Sequence, residues 1–357
     1  MTVIIFLIVL AILIFVHELG HFIFARACGI RVDAFAIGFG PKIFSKKVGE
    51  TVYLLNLIPF GGYVKIFGEN PDDESINGED KDRSFIHKDK IQQVLVLFAG
   101  ILFNLIFAWL LITITFSIGV LSSMDSYTEY KDMMKDPKII ITFVSPDSPA
   151  DKAGLKAGDQ LITSSLSDIQ ENINESKDQG IEIKYRRGME EFNTNVIAEK
   201  GILENKYAIG IAMDNVAVLK LPFDKSIIES FRFTWHIMVT TAIGLYSLIL
   251  GIFSGNADLT SVTGPIGIAG LVGDAVKLGF SYLIMFTAVI SINLGILNLI
   301  PFPALDGGRI LFVIIEAIIR KPIKPIIANT INAIGFGLLI LLMIVVTYKD
   351  IIRIFIK

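Results

Sequence analysis

A metal-binding pattern lies inside the first apolar stretch of the chain. Residues 3–16 contain no polar side chain, and the run leads directly into His17-Glu18-Leu19-Gly20-His21. On a helix, residues four apart share a face, so both imidazoles can bind one metal ion. Ionisable groups at membrane depth are costly and usually mark function. The pattern predicts a catalytic metal centre in which Glu18 takes a proton from water, and hence peptide hydrolysis within a membrane.

Two other interpretations explain less of this pattern. A structural zinc site needs a fourth ligand and makes no use of Glu18. A cleaved signal peptide needs a basic residue before the apolar run, and cleavage at 25–27 would discard both histidines. Cys28 is the only cysteine, so an internal disulfide and a four-cysteine zinc site are excluded.

The composition predicts a polytopic α-helical membrane protein with about four transmembrane helices. The chain is 53% hydrophobic, and several segments reach the roughly 20 apolar residues that span a bilayer. The expected spans are 3–25, 94–119, 280–299 and 326–346. Segment 226–253 has a polar first half, which favours an amphipathic interfacial helix, although a fifth span is an alternative.

Basic residues predict the orientation in a bacterial cytoplasmic (inner) membrane. Loops 26–90 and 304–325 are rich in Lys and Arg, so both are expected on the cytoplasmic side, with both termini extracytoplasmic. The metal site then lies toward the cytoplasmic side, and region 121–225 is extracytoplasmic. A fifth span would reverse the last loop. The net charge of −3 predicts no nucleic-acid partner.

The first loop is expected to form a membrane-reentrant β-loop. Segments 38–41 and 51–59 are typical of short strands with glycine turns. Irregular backbone is allowed at membrane depth only where protein or water covers it. An uncovered strand edge beside the metal could pair with a substrate backbone. A hairpin without a substrate role is the alternative.

The middle of the chain resembles a PDZ domain. Segments 145–150 and 153–162 fit strand, short helix, Gly-Asp turn and strand. Further strands are expected at 138–144, 180–186, 191–198 and 207–213, which gives a domain core of about 138–219. PDZ folds bind peptides by strand addition, so a peptide or a substrate ectodomain is the expected partner. A spacer or steric filter is the alternative.

The third metal ligand is expected to be a carboxylate. His87 lies in a charged loop and His236 in the interfacial segment, so neither is well placed. Asp306 follows the third span in segment 298–309, where prolines break the helix and two glycines allow a turn. Asp306 could instead cap the helix that starts near Gly307.

Both motifs together resemble the site-2 protease family of intramembrane zinc metalloproteases. They are His17-Glu18-Leu19-Gly20-His21 and Asn298-x-x-Pro301-x-Pro303-x-Leu305-Asp306-Gly307-Gly308. Further marks of its bacterial sigma-regulating branch are Gly38-Phe39-Gly40, segment 59–65, Gly100 with Asn104, and segment 261–266. The resemblance implies that Zn²⁺ is bound by His17, His21 and Asp306, with Glu18 as the base. It also implies that Asn298, Gly38, Phe39, Gly40 and Asn104 bind substrate.

The resemblance also implies the substrates and the organisation of the chain. Single-span transmembrane proteins already trimmed by another protease are expected, such as anti-sigma factors or leftover signal peptides. The parts are 1–120 with the first two spans and the β-loop, 121–225 with the PDZ domain, 226–279 with the interfacial helix, and 280–357 with the last two spans. A non-proteolytic membrane PDZ adaptor with a vestigial metal site is the main alternative, and a metal transporter is another.

Overall fold

The computed structural model describes residues 2–163, 165–176, 180–188, 190–203, 206–255 and 263–355, with the backbone alone at 59–60, 201–203, 206, 253 and 353–355. Residues 261 and 262 of the predicted mark 261–266 lie outside this part of the chain. The chain divides into two units, one formed by Met1–Thr115 with Asp224–Lys357 and the other by Phe116–Phe223.

The helices, in chain order, are α1 Thr2–Ala27, α2 Asp73–Asn77, α3 Lys90–Ile118, α4 Pro149–Lys152, α5 Leu166–Glu175, α6 Phe223–Ser254, α7 Pro265–Leu278, α8 Phe280–Leu299, α9 Asp306–Ile319 and α10 Pro325–Phe355. The strands are β1 Val32–Val48, β2 Thr51–Ile66, β3 Val120–Ser123, β4 Met134–Val144, β5 Gln160–Leu161, β6 Gly180–Arg187, β7 Glu190–Ile197, β8 Glu199–Leu203, β9 Lys206–Ala208 and β10 Ile211–Leu219.

Five helices in the described part of the chain are long and apolar enough to cross a membrane: α1, α3, α6, α8 and α10. Four of them coincide with the predicted spans. The fifth, α6, covers the segment that was expected to be interfacial. Its polar side chains at Ser226, Glu229, Ser230 and Thr234 are buried. The apolar window by which α6 qualifies as a candidate span contains no buried residue.

Helices α1 and α3 run in opposite directions and approach each other closely. His17 lies beside Asn104, whereas His21, one turn later on α1, lies beside Val96, which precedes Asn104 on α3. A Cβ at Gly20 would lie 2.4 Å from a main-chain oxygen of α3. Small residues let membrane helices approach in this way. The contact places both histidines directly against α3.

Helix α8 runs opposite to α3 and therefore parallel to α1. The Ser291 hydroxyl donates to the Asn104 carbonyl at 2.8 Å. One turn later on α8, a Cβ at Gly295 would lie 3.5 Å from the carbonyl oxygen of Ile101, which is earlier on α3. The last turn of α8 is thereby carried toward the level of the α1 histidines.

Helix α7 contacts both ends of the chain in this unit. The buried Asp350 carboxylate near the end of α10 accepts hydrogen bonds from the main-chain N–H groups of Gly264 and Gly267, at 3.2 and 2.8 Å. Thr2, the first residue of α1, lies where a Cβ at Gly273 would meet its methyl group at 2.6 Å. The start of α1 and the end of α10 therefore lie at the same end of this helical unit.

Strands β1 and β2 form a long hairpin against α1. Residues 51–58 of β2 pair along one edge of β1, and residues 62–66 turn back to pair with 32–37 along the other. Gly61, with φ +90°, makes this reversal possible because only glycine adopts such a φ without strain. Within the described residues, segment 62–66 pairs with β1 alone, so its second edge is not part of the sheet. We call residues 62–66 the edge segment.

The second unit contains a six-stranded sheet in the order β3-β10-β4-β5-β6-β7. Helix α5 buries Ile169 and Ile173 on a core that includes Ile141, Leu161 and Ile183. Observed strands β4, β6, β7 and β10 overlap the four predicted ones. The predicted strand 207–213 is divided between β9 and β10.

An ion pair between the buried carboxylate of Asp159 and the partly exposed Arg187 holds the Gly-Asp turn of this unit in place. Asp159 is 1% exposed and accepts two hydrogen bonds of 2.7 Å from the guanidinium of Arg187, and one of 2.8 Å from the N–H of Lys156. The hydrogen bonds to Asp159, more than the Coulomb attraction, raise the pKa of Arg187. Arg187 therefore remains a cation throughout the physiological pH range.

Replacing this carboxylate is expected to destabilise the second unit. Asp159→Asn should lower its free energy of unfolding by about 2 kcal/mol, because hydrogen bonds to charged groups are lost around a buried site. Hydrogen exchange of residues 156–161 and 183–187 in the full chain measures the effect. Glu191→Gln, which breaks an exposed pair with Arg186, is the control and should change stability by less than about 0.5 kcal/mol. Equal effects of the two variants would contradict the prediction.

Candidate metal centre

Three donor side chains converge where α1 meets the start of α9. The Nε2 atom of His17 lies 3.0 Å from Oδ2 of Asp306, and the Nε2 atom of His21 lies 3.4 Å from the same oxygen. The two Nε2 atoms are 3.2 Å apart. Both histidines are buried, and Asp306 is half-buried. The structure thus brings together three residues of which the outermost, His17 and Asp306, are 289 positions apart in the chain.

The main chain fixes which nitrogen of His21 is available. Its Nδ1 lies 2.8 Å from the carbonyl oxygen of Val96, which can only accept, so Nδ1 carries the proton. Nε2 therefore presents a lone pair toward Asp306 and His17. Such a hydrogen bond from the second ring nitrogen is the usual support of a metal-binding histidine.

A buried asparagine contacts the other ring. Asn104 is fully buried, and its side-chain amide lies 3.1 Å from Nδ1 of His17. The second amide atom, Oδ1, has no hydrogen-bond partner within the described residues. If the amide is turned by 180°, Oδ1 accepts a hydrogen bond from the Nδ1–H group of His17, and Nε2 of that ring then carries the free lone pair.

The donor set fits a zinc ion. Tetrahedral zinc with bonds of about 2.0–2.1 Å has ligand atoms about 3.3 Å apart, and the three separations here are 3.0, 3.2 and 3.4 Å. Lone pairs on two nitrogens and a buried carboxylate oxygen repel each other unless a cation lies between them. Imidazole and carboxylate are also the ligand types of catalytic zinc sites.

A strained turn delivers Asp306 to this position. Ala304 has φ +76°, which is uncommon for a residue other than glycine. Its N–H donates to Oδ1 of Asn332 on α10 at 3.2 Å. Asp306 is the first residue of α9 and Leu305 occupies the N-cap position, so Asp306 is not the capping residue of this helix. A Cβ at Gly307 would lie 2.3 Å from the carbonyl oxygen of Leu299, which explains the glycine.

Glu18 projects into a cavity of about 440 Å³ that the three donors also line. The edge segment passes this cavity: a Cβ at Gly62 would lie 3.7 Å from Cγ of Glu18. Residues 63–66 line the cavity as well. A carboxylate, the three donors and a strand edge therefore share one water-accessible space.

The other predicted substrate-binding residues lie elsewhere. Asn298 is half-buried on the last turn of α8 and does not line this cavity. Gly38 and Gly40 lie within the hairpin, and the Gly38 carbonyl accepts a hydrogen bond from Asn56 at 2.9 Å. Phe39 stacks on Tyr63 of the edge segment, with ring centroids 6.1 Å apart, and this contact supports the segment.

Sequence reasoning missed a cation in the cavity. Arg309 lines it and forms an ion pair with Glu69, which follows the edge segment. Its position three residues after Asp306 places it on the same face of α9, and that spacing is a signal that could have identified it. The ion pair joins the helix that carries Asp306 to the turn that ends the edge segment.

Comparison with known proteins identifies the family of this chain. The model of Peptidase family M50 matches residues 5–342. The chain belongs to peptidase family M50. A Clostridium perfringens protein whose name marks it as an inferred zinc metalloprotease is 37% identical over 350 residues, covering 95% of each chain. Zinc metalloprotease RasP of Oceanobacillus iheyensis is 30% identical over 436 aligned positions, covering 99% of each chain.

Family M50 membership confirms several predictions at the level of the family. The predicted resemblance is confirmed, and so is the prediction of a zinc metalloprotease as the kind of enzyme. With its five apolar helices, this M50 chain is an integral membrane protein.

Proposed function

We propose that this M50 chain is an intramembrane zinc endopeptidase that cleaves peptide bonds within the membrane-spanning segments of single-span proteins. Its substrates are chains already trimmed by another protease, of the anti-sigma-factor or remnant signal-peptide kind. The observation that carries the proposal is that Asp306 converges with His17 and His21 beside Glu18, on a helix, α1, that is apolar enough to span a membrane.

Each residue of the centre has a separate task. His17, His21 and Asp306 would hold the zinc ion, which supplies activation of water and polarisation of the scissile carbonyl. Glu18 accepts the proton of the attacking water and returns it to the leaving amine. Asn104 and the Val96 carbonyl hold the two imidazoles in the required tautomer and orientation. Asn104 is therefore a positioning residue rather than a substrate contact.

The edge segment is the place at which substrate binds. A substrate helix must unwind to expose a peptide bond, and its freed N–H and C=O groups then need partners at membrane depth. The second edge of residues 62–66 offers such partners beside Glu18 by strand addition. We therefore assign substrate binding to residues 62–66 rather than to Gly38, Phe39 and Gly40, which support the edge segment. Substrate binding at the edge segment requires the β1–β2 hairpin to reenter the membrane.

The second unit acts as a PDZ domain outside the cytoplasm. A groove of about 380 Å³ runs between α5 and the start of β10, lined by Ile173, Tyr207 and Ile211 among others. This is the place where a PDZ fold accepts an extended peptide or the ectodomain of a substrate. A steric filter is the second role for this unit, and it predicts that filling the groove leaves cleavage unchanged.

The proposed topology keeps both termini extracytoplasmic and the metal toward the cytoplasm. Contacts of α7 with Thr2 and Asp350 support termini on one side. The antiparallel packing of α3 and α8 favours four crossings of the membrane, because the chain leaves α3 and enters α8 at the same end of the helical unit. In this topology α6 does not carry the chain to the opposite side.

Removal of the metal tests the proposal. The protein reconstituted in lipid nanodiscs with a single-span substrate should cut within the apolar segment, lose activity with 1,10-phenanthroline and regain it with Zn²⁺. Cleavage sites are read by mass spectrometry. A PDZ adaptor with a vestigial metal site would show no cleavage, and a transporter would move Zn²⁺ across the bilayer instead. Cleavage that resists the chelator would refute the proposed centre.

A further inference from the structure

A large cleft at the start of two membrane helices shares no lining residue with the cavity of the metal centre. It encloses about 740 Å³ between the turn after α9 and the segment before α3. Its lining includes Lys90 and Pro325, the first residues of α3 and α10. Because both helices are candidate spans, the cleft is at a boundary between membrane and water. We call it the basic cleft.

The rim of the basic cleft is cationic. Lys90, Arg320, Lys321 and Lys324 line it, with Glu316 as the one carboxylate among the lining residues. Glu316 is already neutralised, because it pairs with Lys90 at 2.5 Å and accepts the N–H of Ile323 at 2.8 Å. The charges of Arg320, Lys321 and Lys324, all exposed, are left to attract an anion.

The floor of the basic cleft and its surroundings are apolar. Ile76, Ile86 and Pro322 contribute to the lining. Next to it, Ile318 and Ile326 are 75% and 71% exposed, as expected of side chains that face lipid. A ligand of this cleft therefore needs an anionic head and a hydrocarbon tail side by side.

We propose that the basic cleft binds an anionic phospholipid of the surrounding membrane, with its phosphate among Arg320, Lys321 and Lys324 and an acyl chain along the apolar floor. Basic pockets between membrane helices bind acidic headgroups by this combination. A soluble phosphate would use the rim and leave the apolar floor exposed to water. The lipid is the one candidate that satisfies both.

Native mass spectrometry of the full chain in detergent tests the proposal without using proteolytic activity. Dioleoylphosphatidylglycerol and dioleoylphosphatidylcholine, which have the same acyl chains, are the probes. The anionic lipid should bind more tightly than the zwitterionic one. Lys321→Gln with Lys324→Gln should weaken it about 25-fold, from about fivefold for each basic residue removed, at about 1 kcal/mol each. Binding of the zwitterionic lipid should not change.

Two controls define what would overturn the proposal. Lys135→Gln with Lys152→Gln removes the same charge from exposed positions of the second unit and should leave lipid binding unchanged. Glycerol 3-phosphate at the same concentration should not displace the lipid. Equal binding of both lipids, an unaffected cleft variant or an equally weakened control variant would each refute lipid binding here. Displacement by glycerol 3-phosphate would identify a site for a soluble anion instead.

Discussion

Glu18→Gln is expected to lower the rate of substrate cleavage by about 10²–10⁴-fold while zinc stays bound. The amide has nearly the shape of the carboxylate, so the cavity beside the edge segment should keep its form. It cannot accept a proton from water, so the step that the carboxylate serves is lost. The proposed zinc donors are His17, His21 and Asp306, and all three are unchanged in this variant.

The measurement pairs two readouts on one preparation. Single-turnover cleavage of a reconstituted single-span substrate gives the rate, and elemental analysis gives zinc per chain. His17→Asn is the comparison variant, which should lose zinc as well as activity. If Glu18→Gln cleaved at the normal rate, the proton-transfer role would be wrong. If it lost zinc, the residue would have to be reassigned to metal binding.

Gly100→Ala is expected to abolish metal binding although it adds one methyl group. A Cβ at this position of α3 would lie 2.4 Å from Nε2 of His21 and 2.8 Å from Cε1 of His17. Neither distance is possible for a real methyl group, so to reach ordinary contact the His21 ring must move by about 1 Å and the His17 ring by about 0.6 Å. Loss of the hydrogen-bond partner of one metal ligand lowers metal affinity about 10–100-fold, and the displacement of two ligands should lower it further.

A glycine in open space provides the matched control. A Cβ at Gly244 of α6 meets nothing within 4 Å, so Gly244→Ala should keep full zinc affinity. It should also raise helix stability slightly, by up to about 1 kcal/mol, which alanine gains over glycine. Competition with a chromophoric chelator measures zinc affinity in both variants. Equal zinc affinity in the two would mean that α1 and α3 are farther apart than described.

The residues that could be predicted from the sequence are those whose chemistry depends on local spacing. His17 and His21 are one helical turn apart, and Asp306 follows a helix-breaking Pro-x-Pro segment, so each carries its own signal. Four of the five candidate membrane helices are predicted from the length of their apolar segments. The strands of the second unit follow from alternation and turns, and all four predicted strands overlap observed ones.

The parts that could not be predicted depend on which surfaces meet. The contact of Asn104 with His17 joins residues 87 positions apart and exists only because α1 and α3 are antiparallel. Which strand edge is left unpaired depends on the reversal at Gly61, and this moved the expected substrate contact from residues 38–40 to 62–66. The interior burial of Glu229 likewise cannot be read from its own segment, where it indicated an interfacial helix.

The two imidazoles differ in whether a substitution can replace their hydrogen-bond partners. The partner of His17 is a side chain, so one codon change at Asn104 can alter the donor strength and orientation of that ring. The partner of His21 is the carbonyl of Val96, which every amino acid supplies, so substitution at that position leaves the bond in place. A substitution can therefore change the hydrogen-bond partner of Nδ1 of His17, whereas Nδ1 of His21 keeps a main-chain carbonyl as its acceptor whatever residue occupies position 96.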